Sequence, residues 1–291
     1  MDGIKITKAN LWSLVSIYGS EIMCNKAKEE KGKRGVERLK RELLEDIIIA
    51  HREFFKKQVD KISEFMERLK EALTSNGYEV RLVKIKLSSR GSFGASSDFG
   101  MVAFERGLSF DPVFNLPFIP GSSIRGAVRS AYLYLCRSKR GLGEEETEGA
   151  CRLLFGDNKC AGLVGFTDAY PIEAGENGFV LYPDVMTPHY REGVKTEFDV
   201  KPTPITYLTV APGTVFQFYV FWKNRGKRKV NLGKGIRKDI SPTPRPIMSE
   251  LGLLDLAILY ALGLGVGGKT SVGYSTFKVT CYKPLGEEHG V

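Results

Sequence analysis

Apolar residues recur at intervals of three, four or their sums from Val36 to Leu73, and charged residues fill the positions between them. This spacing places the apolar side chains on one face of an α-helix. Ser75-Asn76-Gly77 follows, and a glycine at such a place commonly ends a helix. The pattern predicts one long helix or two consecutive helices, preceded by a basic and mobile stretch around Lys26 to Lys33.

Apolar and basic residues then alternate from Tyr78 to Leu87, which predicts a half-buried strand. A glycine- and serine-rich loop over 88–100 and an irregular passage to Pro120 come next. A helix is predicted from Gly121, with Ser122 or Ser123 as the N-cap. Its expected apolar stripe consists of Ile124, Ala127, Val128, Ala131, Leu135 and Cys136.

The remaining chain predicts three more strands and one more helix. An acidic tract over 144–148 is expected in a loop or short helix. Valine and aromatic residues predict a second strand over Leu163–Tyr170 and a third over Thr214–Trp222. A nearly all-apolar helix over Ser249–Leu262, buried on most sides, is followed by a fourth strand over Ser271–Tyr282.

The order of these elements is strand, helix, strand, strand, helix, strand. This is the split βαβ pattern of the ferredoxin-like fold, which RNA-recognition modules also use. We therefore predict an α+β protein with a helical region over 1–77 and a ferredoxin-like domain over 78–291. A proline-rich excursion over about 173–212 is too long for an idle connection and is predicted to be an insertion between the second and third strands.

Composition favours a polyanion as the partner. The 291 residues carry 43 Lys and Arg against 34 Asp and Glu, a net charge of +9. Neither a signal peptide nor a membrane-spanning run is expected, and the five cysteines show no CxxC pair. These features indicate a soluble cytoplasmic protein with reduced thiols and without a structural zinc or other cofactor.

The segment from Gly263 to Thr270 matches the letters of a phosphate-binding loop, GxxxxGK[ST]. Such a loop requires a strand before it and a helix after it, whereas here the predicted helix precedes and the strand follows. ATP is therefore not expected at this site. A tight turn explains one or two of the glycines. The larger number, Gly263, Gly265, Gly267, Gly268 and Gly273, predicts close approach of another backbone, with Lys269 as a phosphate contact.

The segment from Gly265 to Ser275 resembles the glycine-rich signature GhGxxxxxGhG of the RAMP proteins of CRISPR systems, with Ser275 in place of the last glycine. Residues 116–126, LPFIPGSSIRG, are similar to the run that opens the first helix of many RAMPs. Residues 181–190 and 202–210 resemble the sixth subunit of the type III-B (Cmr) effector complex. The resemblance covers about residues 78–282 and places three motifs in the expected order.

The resemblance implies a non-catalytic subunit of a ribonucleoprotein that caps the filament near the 3′ end of the guide RNA. The implied partners are guide and target RNA, other RAMP subunits and the small helical subunit, with target cleavage assigned to the fourth subunit. Candidate contacts are two basic positions in the first strand and one just after it, four residues at the start of the first helix, and the glycine-rich loop: Lys84, Lys86, Arg90, Ser122, Ser123, Arg125, Arg129, Gly265, Gly267, Gly268, Lys269 and Gly273. A basic loop over 223–238 is a further candidate.

Two residues keep a ribonuclease open as the alternative function. Asp98 resembles in placement the acidic residue that the fourth subunit uses for metal-dependent cleavage. His189 is a candidate general base for metal-free cleavage or, as the preferred interpretation, a residue that stacks on RNA. We expect neither residue to be catalytic.

Overall fold

The computed structural model describes residues 10–29, 33–94, 99–104, 106–140, 143–186, 204–223 and 252–285. Within these ranges the chain forms helices and an antiparallel sheet, as the predicted α+β class requires. The helices are α1 (Leu11–Glu29), α2 (Lys33–Ser75), α3 (Met101–Phe104), α4 (Gly121–Arg140), α5 (Glu144–Phe155) and α6 (Leu253–Leu264). The strands are β1 (Glu79–Leu87), β2 (Phe110–Asp111), β3 (Leu116–Pro117), β4 (Val164–Phe166), β5 (Tyr170–Glu173), β6 (Leu181–Met186), β7 (Ile205–Val210), β8 (Val215–Trp222) and β9 (Phe277–Leu285).

The predicted long helix is confirmed as the single helix α2. It ends where predicted, because Gly77 takes a positive φ of 73° and the N–H of Tyr78 donates to the carbonyl of Leu73 (3.1 Å). Helix α1 was not predicted, and its last residues occupy part of the stretch that was expected to be mobile. Its apolar residues do not form a clean stripe, since Leu11 is buried whereas Ile17 is 63% exposed.

The main sheet has the strand order β4-β8-β1-β9, and β5 also pairs with β8. Every pairing in it is antiparallel. Strand β1 lies between β8 and β9, so that Lys84 is opposite Gln217 on one side and Cys281 on the other. Strands β6 and β7 form a separate antiparallel pair.

Helices cover the two faces of the main sheet unequally. Helices α4 and α6 pack against each other, and α6 lies against β9 on one face. Helix α2 contacts β1, β5 and β8 from the other side, where Phe65 meets the ring of Tyr170 (centroids 6.0 Å apart). The predicted stripe of α4 is confirmed as buried or half-buried, with Ile124, Val128 and Cys136 fully enclosed.

Several boundaries differ from the prediction. The second strand is two short strands, β4 and β5, separated by residues 167–169. The acidic tract opens a regular helix, α5, and three glutamates lie in its first turn, where the helix dipole favours negative charge. The all-apolar helix keeps one exposed stripe, with Leu256, Tyr260 and Leu264 at 41%, 38% and 57% exposure.

The predicted serine cap of α4 is wrong. The helix already begins at Gly121, so Ser122 and Ser123 lie in its first turn and are exposed. The carboxylate of Asp168 accepts a hydrogen bond from the N–H of Gly121 (2.7 Å) and supplies the cap from a distant part of the chain. Spacing along the sequence carries no signal for a cap that arrives from 47 residues away.

No helix in the described ranges is long and apolar enough to cross a membrane. The division of the chain at residue 77 stays a prediction.

Candidate nucleic-acid interface

A buried carboxylate, Asp184 on β6, joins three separate segments of the chain. It accepts hydrogen bonds from the hydroxyls of Tyr207 on β7 (2.6 Å) and Tyr274 beyond the glycine-rich loop (2.8 Å). Arg90, three residues after β1, forms an ion pair with it (2.5 Å). Lys269 completes the group by donating to the hydroxyl of Tyr207 (2.6 Å). We call these five residues, together with Tyr182 and Arg106, the Asp184 cluster.

Each cation of the Asp184 cluster lies over an aromatic ring. Arg90 is 5.4 Å from the ring centroid of Tyr182, and Arg106 is 5.4 Å from that of Tyr207. Lys269 is 4.8 Å from the ring centroid of Tyr207 and 5.1 Å from that of Tyr274. Cations held against ring faces are positioned without being neutralised.

Charge in the Asp184 cluster is unbalanced. Three cations surround one carboxylate, which leaves two positive charges. Burial opposes ionisation of Asp184, but the hydrogen bonds from Tyr207, Tyr274 and the N–H of Val185, together with the charge of Arg90, outweigh it and lower the pKa of this carboxyl. Partial burial, and then the charge of Arg106, lower the pKa of Lys269. The cluster is a site that favours an added anion, and its partly exposed rings Tyr182 and Tyr274 offer surfaces for stacking.

The glycine-rich loop lies against the chain's own segment after β1. The N–H of Gly268 donates to the carbonyl of Ser92 (2.7 Å), and a Cβ at Gly267 would lie 2.7 Å from that same oxygen. Gly265 and Gly267 also have positive φ angles, 111° and 123°. At Gly267, the backbone that comes close therefore belongs to this chain. The order of helix, loop and strand is as predicted, but the strand begins at Phe277 and not at Ser271.

Ser275, which departs from the glycine signature, keeps a glycine-like conformation. Its φ is +58° and its side chain is fully buried. The N–H of Ser92 donates to its Oγ (3.0 Å), and its own N–H donates to the carbonyl of Arg90 (2.9 Å). These hydrogen bonds offset the left-handed backbone, which costs a non-glycine residue about 1–3 kcal/mol. Strand β9 then begins two residues later.

A second group of predicted contacts lies on α4. Ser122, Ser123, Arg125 and Arg129 are all exposed, and the two arginines are one helical turn apart. No ion pair within the described ranges includes either arginine. The structure brings Arg90 and Lys269 together but leaves these four residues as a separate surface.

The last two described candidates lie on the main sheet. Lys86 is exposed and Lys84 is half-buried, on the face of β1 opposite to α6.

Asp98, His189 and residues 224–238 of the basic loop lie outside the described residues. In the part of the chain that is described, no three His, Cys, Asp or Glu side chains lie together as metal ligands.

Sequence reasoning did not assign five members of the Asp184 cluster as RNA contacts: Asp184, Arg106, Tyr182, Tyr207 and Tyr274. A signal existed for Tyr182 and Tyr207, because both lie in the runs that resemble a known subunit. Their contact depends on the pairing of β6 with β7, in which Asp184 is directly opposite Tyr207. Arg106 has no local pattern that marks it.

Comparisons with known proteins identify the family of the chain. A family model of the RAMP superfamily matches residues 99–278. The chain is 36% identical over 256 residues to the CRISPR system CMR subunit Cmr6 of Saccharolobus solfataricus, covering 88% of this chain and 75% of that protein. It is also similar to a chain in a cryo-EM structure of the type III-B Cmr-beta bound to cognate target RNA. That match has a TM-score of 0.68 and 31% identity, and covers 97% of this chain and 94% of the other.

Proposed function

Because the chain belongs to the RAMP superfamily, we propose that it is a non-catalytic RNA-binding subunit of a type III-B CRISPR effector complex. The observation that carries the proposal is the Asp184 cluster, where three cations and partly exposed tyrosine rings surround a single carboxylate. Phosphates favour such an excess of positive charge, and bases stack on aromatic rings. The similarity to a Cmr6 subunit and to a chain of a complex bound to target RNA supports the same function.

In this proposal the main sheet is a ferredoxin-like sheet with α4 and α6 as its two helices, and residues 173–212 form an insertion that carries β6 and β7. The sheet order β4-β8-β1-β9, with antiparallel neighbours throughout, supports it. The insertion brings Asp184 and Tyr207 to the glycine-rich loop. The subunit acts in the cytoplasm and caps the filament near the 3′ end of the guide RNA, beside another RAMP subunit and the small helical subunit.

RNA binding tests the proposal directly. The full chain is expected to bind a labelled oligouridine strand, with an affinity that falls steeply as salt rises. Replacing Arg125, Arg129 and Lys269 with Ala removes three cations and is expected to reduce affinity more than about tenfold and to lower the salt slope by about 2. The charge-matched control replaces three exposed lysines outside the candidate surfaces: Lys57, Lys61 and Lys159. Equal behaviour of the triple variant and the parent, in binding and in co-purification with guide RNA, would refute the site assignment.

The non-catalytic character needs a separate experiment. The purified chain is incubated with labelled RNA in the presence of Mg²⁺ and, separately, of a chelator, and intact RNA is expected in both. Specific cleavage that is lost in Asp98→Ala would identify a metal-dependent ribonuclease. Cleavage that survives the chelator and is lost in His189→Ala would identify a metal-free one.

A further inference from the structure

Four lysines share one face of the β1–β9 half of the main sheet. Lys86 on β1 is directly opposite Lys278 on β9, and Lys283 is opposite Leu82, two residues from Lys84 on the same face. The other face of β9 is turned toward α6, because Tyr282 bonds to Asp255 of that helix and Phe277 is buried. We call the surface formed by Lys84, Lys86, Lys278 and Lys283 the lysine face.

Helix α2 contacts β1 as well as β5 and β8, but it leaves three of the four lysines exposed. On the β5–β8 half, Phe65 contacts Tyr170, and burial, followed by the charge of Glu67, raises the pKa of Tyr219. On the β1–β9 half, Lys86, Lys278 and Lys283 are exposed and Lys84 is half-buried. The lysine face is therefore open on a sheet that is otherwise packed by helices.

Clustering these lysines is unfavourable for the isolated chain. Side chains directly opposite in an antiparallel pair have Cβ atoms about 5 Å apart, and like charges there are destabilising. Within the described ranges, no ion pair includes any of the four lysines. An anionic partner would remove this repulsion.

Protection of the sheet edge does not explain the lysine face. Lysines on an edge strand prevent pairing with other chains, and β9 is the edge strand of this sheet. That reason applies to Lys278 and Lys283. It does not apply to Lys84 and Lys86, because β1 is paired on both sides.

The composition of the lysine face indicates which part of an RNA it contacts. Single-stranded bases are bound by stacking on aromatic rings of a sheet. On this face β1 contributes Leu82 beside its two lysines, and β9 contributes Cys281, which is opposite Lys84. Lysine ammonium groups without rings contact phosphates and not bases.

We propose that the lysine face binds the phosphate backbone of RNA, as a second contact besides the Asp184 cluster. The inference rests on the proposed RNA-binding function. It adds Lys278 and Lys283 to the residues involved and predicts no base preference at this surface. The lysine face lies on β1 and β9 themselves, whereas Arg90 of the Asp184 cluster lies beyond the end of β1.

The test uses the full chain and measures affinity for labelled RNA as a function of salt. One variant replaces all four lysines of the lysine face with Gln, and a second replaces them with Arg. The charge-matched control carries four exposed lysines replaced with Gln: Lys56, Lys57, Lys61 and Lys159. Circular dichroism melting verifies that each variant is folded. Oligouridine and oligoadenine strands serve as probes.

We expect the Gln variant to bind both probes more than about tenfold more weakly, with the salt slope lowered by about 3. The Arg variant and the control are expected to bind like the parent. Parent-like binding by the Gln variant, or an equal loss in the control, refutes the inference while the proposed function stands. A Gln variant that binds RNA normally but no longer co-purifies with protein subunits assigns the surface to an acidic protein instead, which also refutes it. If the parent itself binds no RNA, the proposed function fails first.

Discussion

Arg90 and Lys269 are held by side chains of this chain, whereas Arg125 and Arg129 on α4 are exposed and have no ion pair among the described residues. The two surfaces therefore present positive charge differently. A cation whose side chain is already held in place loses less conformational entropy when RNA binds. Part of its charge, however, is already compensated by the carboxylate that holds it. An exposed arginine attracts RNA from a distance, and its side chain loses conformational entropy only when it contacts the RNA.

This difference indicates a division of roles. The Asp184 cluster connects β1, the β6–β7 pair and the glycine-rich loop, so that a change there alters both the folding and the shape of the site. We expect the arginines of α4 to contribute charge to the proposed RNA binding and little to stability. Mutations separate the two roles. Substitutions in the Asp184 cluster are expected to cause large losses of stability, whereas substitutions of the arginines on α4 are expected to cause none.

The largest effect is expected for Asp184→Asn. The carboxylate side chain is 3% exposed and accepts hydrogen bonds from two tyrosines and an arginine, and an amide cannot replace its charge. Removing one member of such a buried group lowers the free energy of unfolding by about 3 kcal/mol. Urea denaturation measures the change, with Asp60→Asn on the exposed side of α2 as the control. A loss below about 1 kcal/mol would show that the cluster is not a structural junction.

A slightly smaller loss is expected for Gly267→Ala. Gly267 has a positive φ, and an added Cβ would lie 2.7 Å from the carbonyl oxygen of Ser92. The loop must therefore move away from the segment after β1 that contains Ser92. Strain and lost contact together are expected to cost about 2–3 kcal/mol. Gly263→Ala is the matched control, because nothing lies within 4 Å of its Cβ position and it lies within α6. It is expected to be neutral or to stabilise by up to about 1 kcal/mol. Equal losses in both variants would show that the loop does not depend on this approach.

The sequence predicted the elements better than it predicted the site. Helix α2, strands β1 and β8, and the helix-loop-strand order around Gly265 follow from periodicity over many residues, which a single substitution does not obscure. The Asp184 cluster depends on side chains more than 90 residues apart in sequence, such as Arg90 and Asp184. Their meeting is decided by the register of β6 with β7 and by the docking of the glycine-rich loop.

The glycine-rich segment illustrates the same limit. The number of glycines predicted the close approach of another backbone, but a count of glycines does not say whose backbone it is. The structure supplies the chain's own Ser92. Ser275 was recognised as a small departure from the glycine signature, yet only the structure gives its left-handed backbone and its bond with Ser92.

Lowering the pH is expected to reduce the stability that the Asp184 cluster contributes, by less than the Asn substitution does. The pKa of Asp184 is below its ordinary value of about 3.9, so the carboxylate stabilises the fold fully above about pH 4. This contribution is lost as pH falls through the lowered pKa. The stability of the parent is therefore expected to approach that of Asp184→Asn as pH falls below about 4, measured by urea denaturation at a series of pH values. A gap that stays constant down to about pH 3 would contradict the assignment of the lowered pKa to this group.

The smallest effect on stability is expected for the pair Arg125→Ala and Arg129→Ala, which tests the other side of the comparison. Both side chains are exposed, so the free energy of unfolding is expected to change by less than about 0.5 kcal/mol. RNA affinity is expected to fall, with the salt slope for single-stranded RNA lowered by about 1.4, because two phosphate contacts are lost. Lys269→Ala is the contrasting variant, since it removes the hydrogen bond to Tyr207 and two ring contacts. It is expected to lower the free energy of unfolding by about 1 kcal/mol and also to weaken RNA binding. If the arginine pair loses stability and Lys269→Ala does not, the roles of the two surfaces are reversed. If neither changes RNA binding, both surfaces serve contacts with protein.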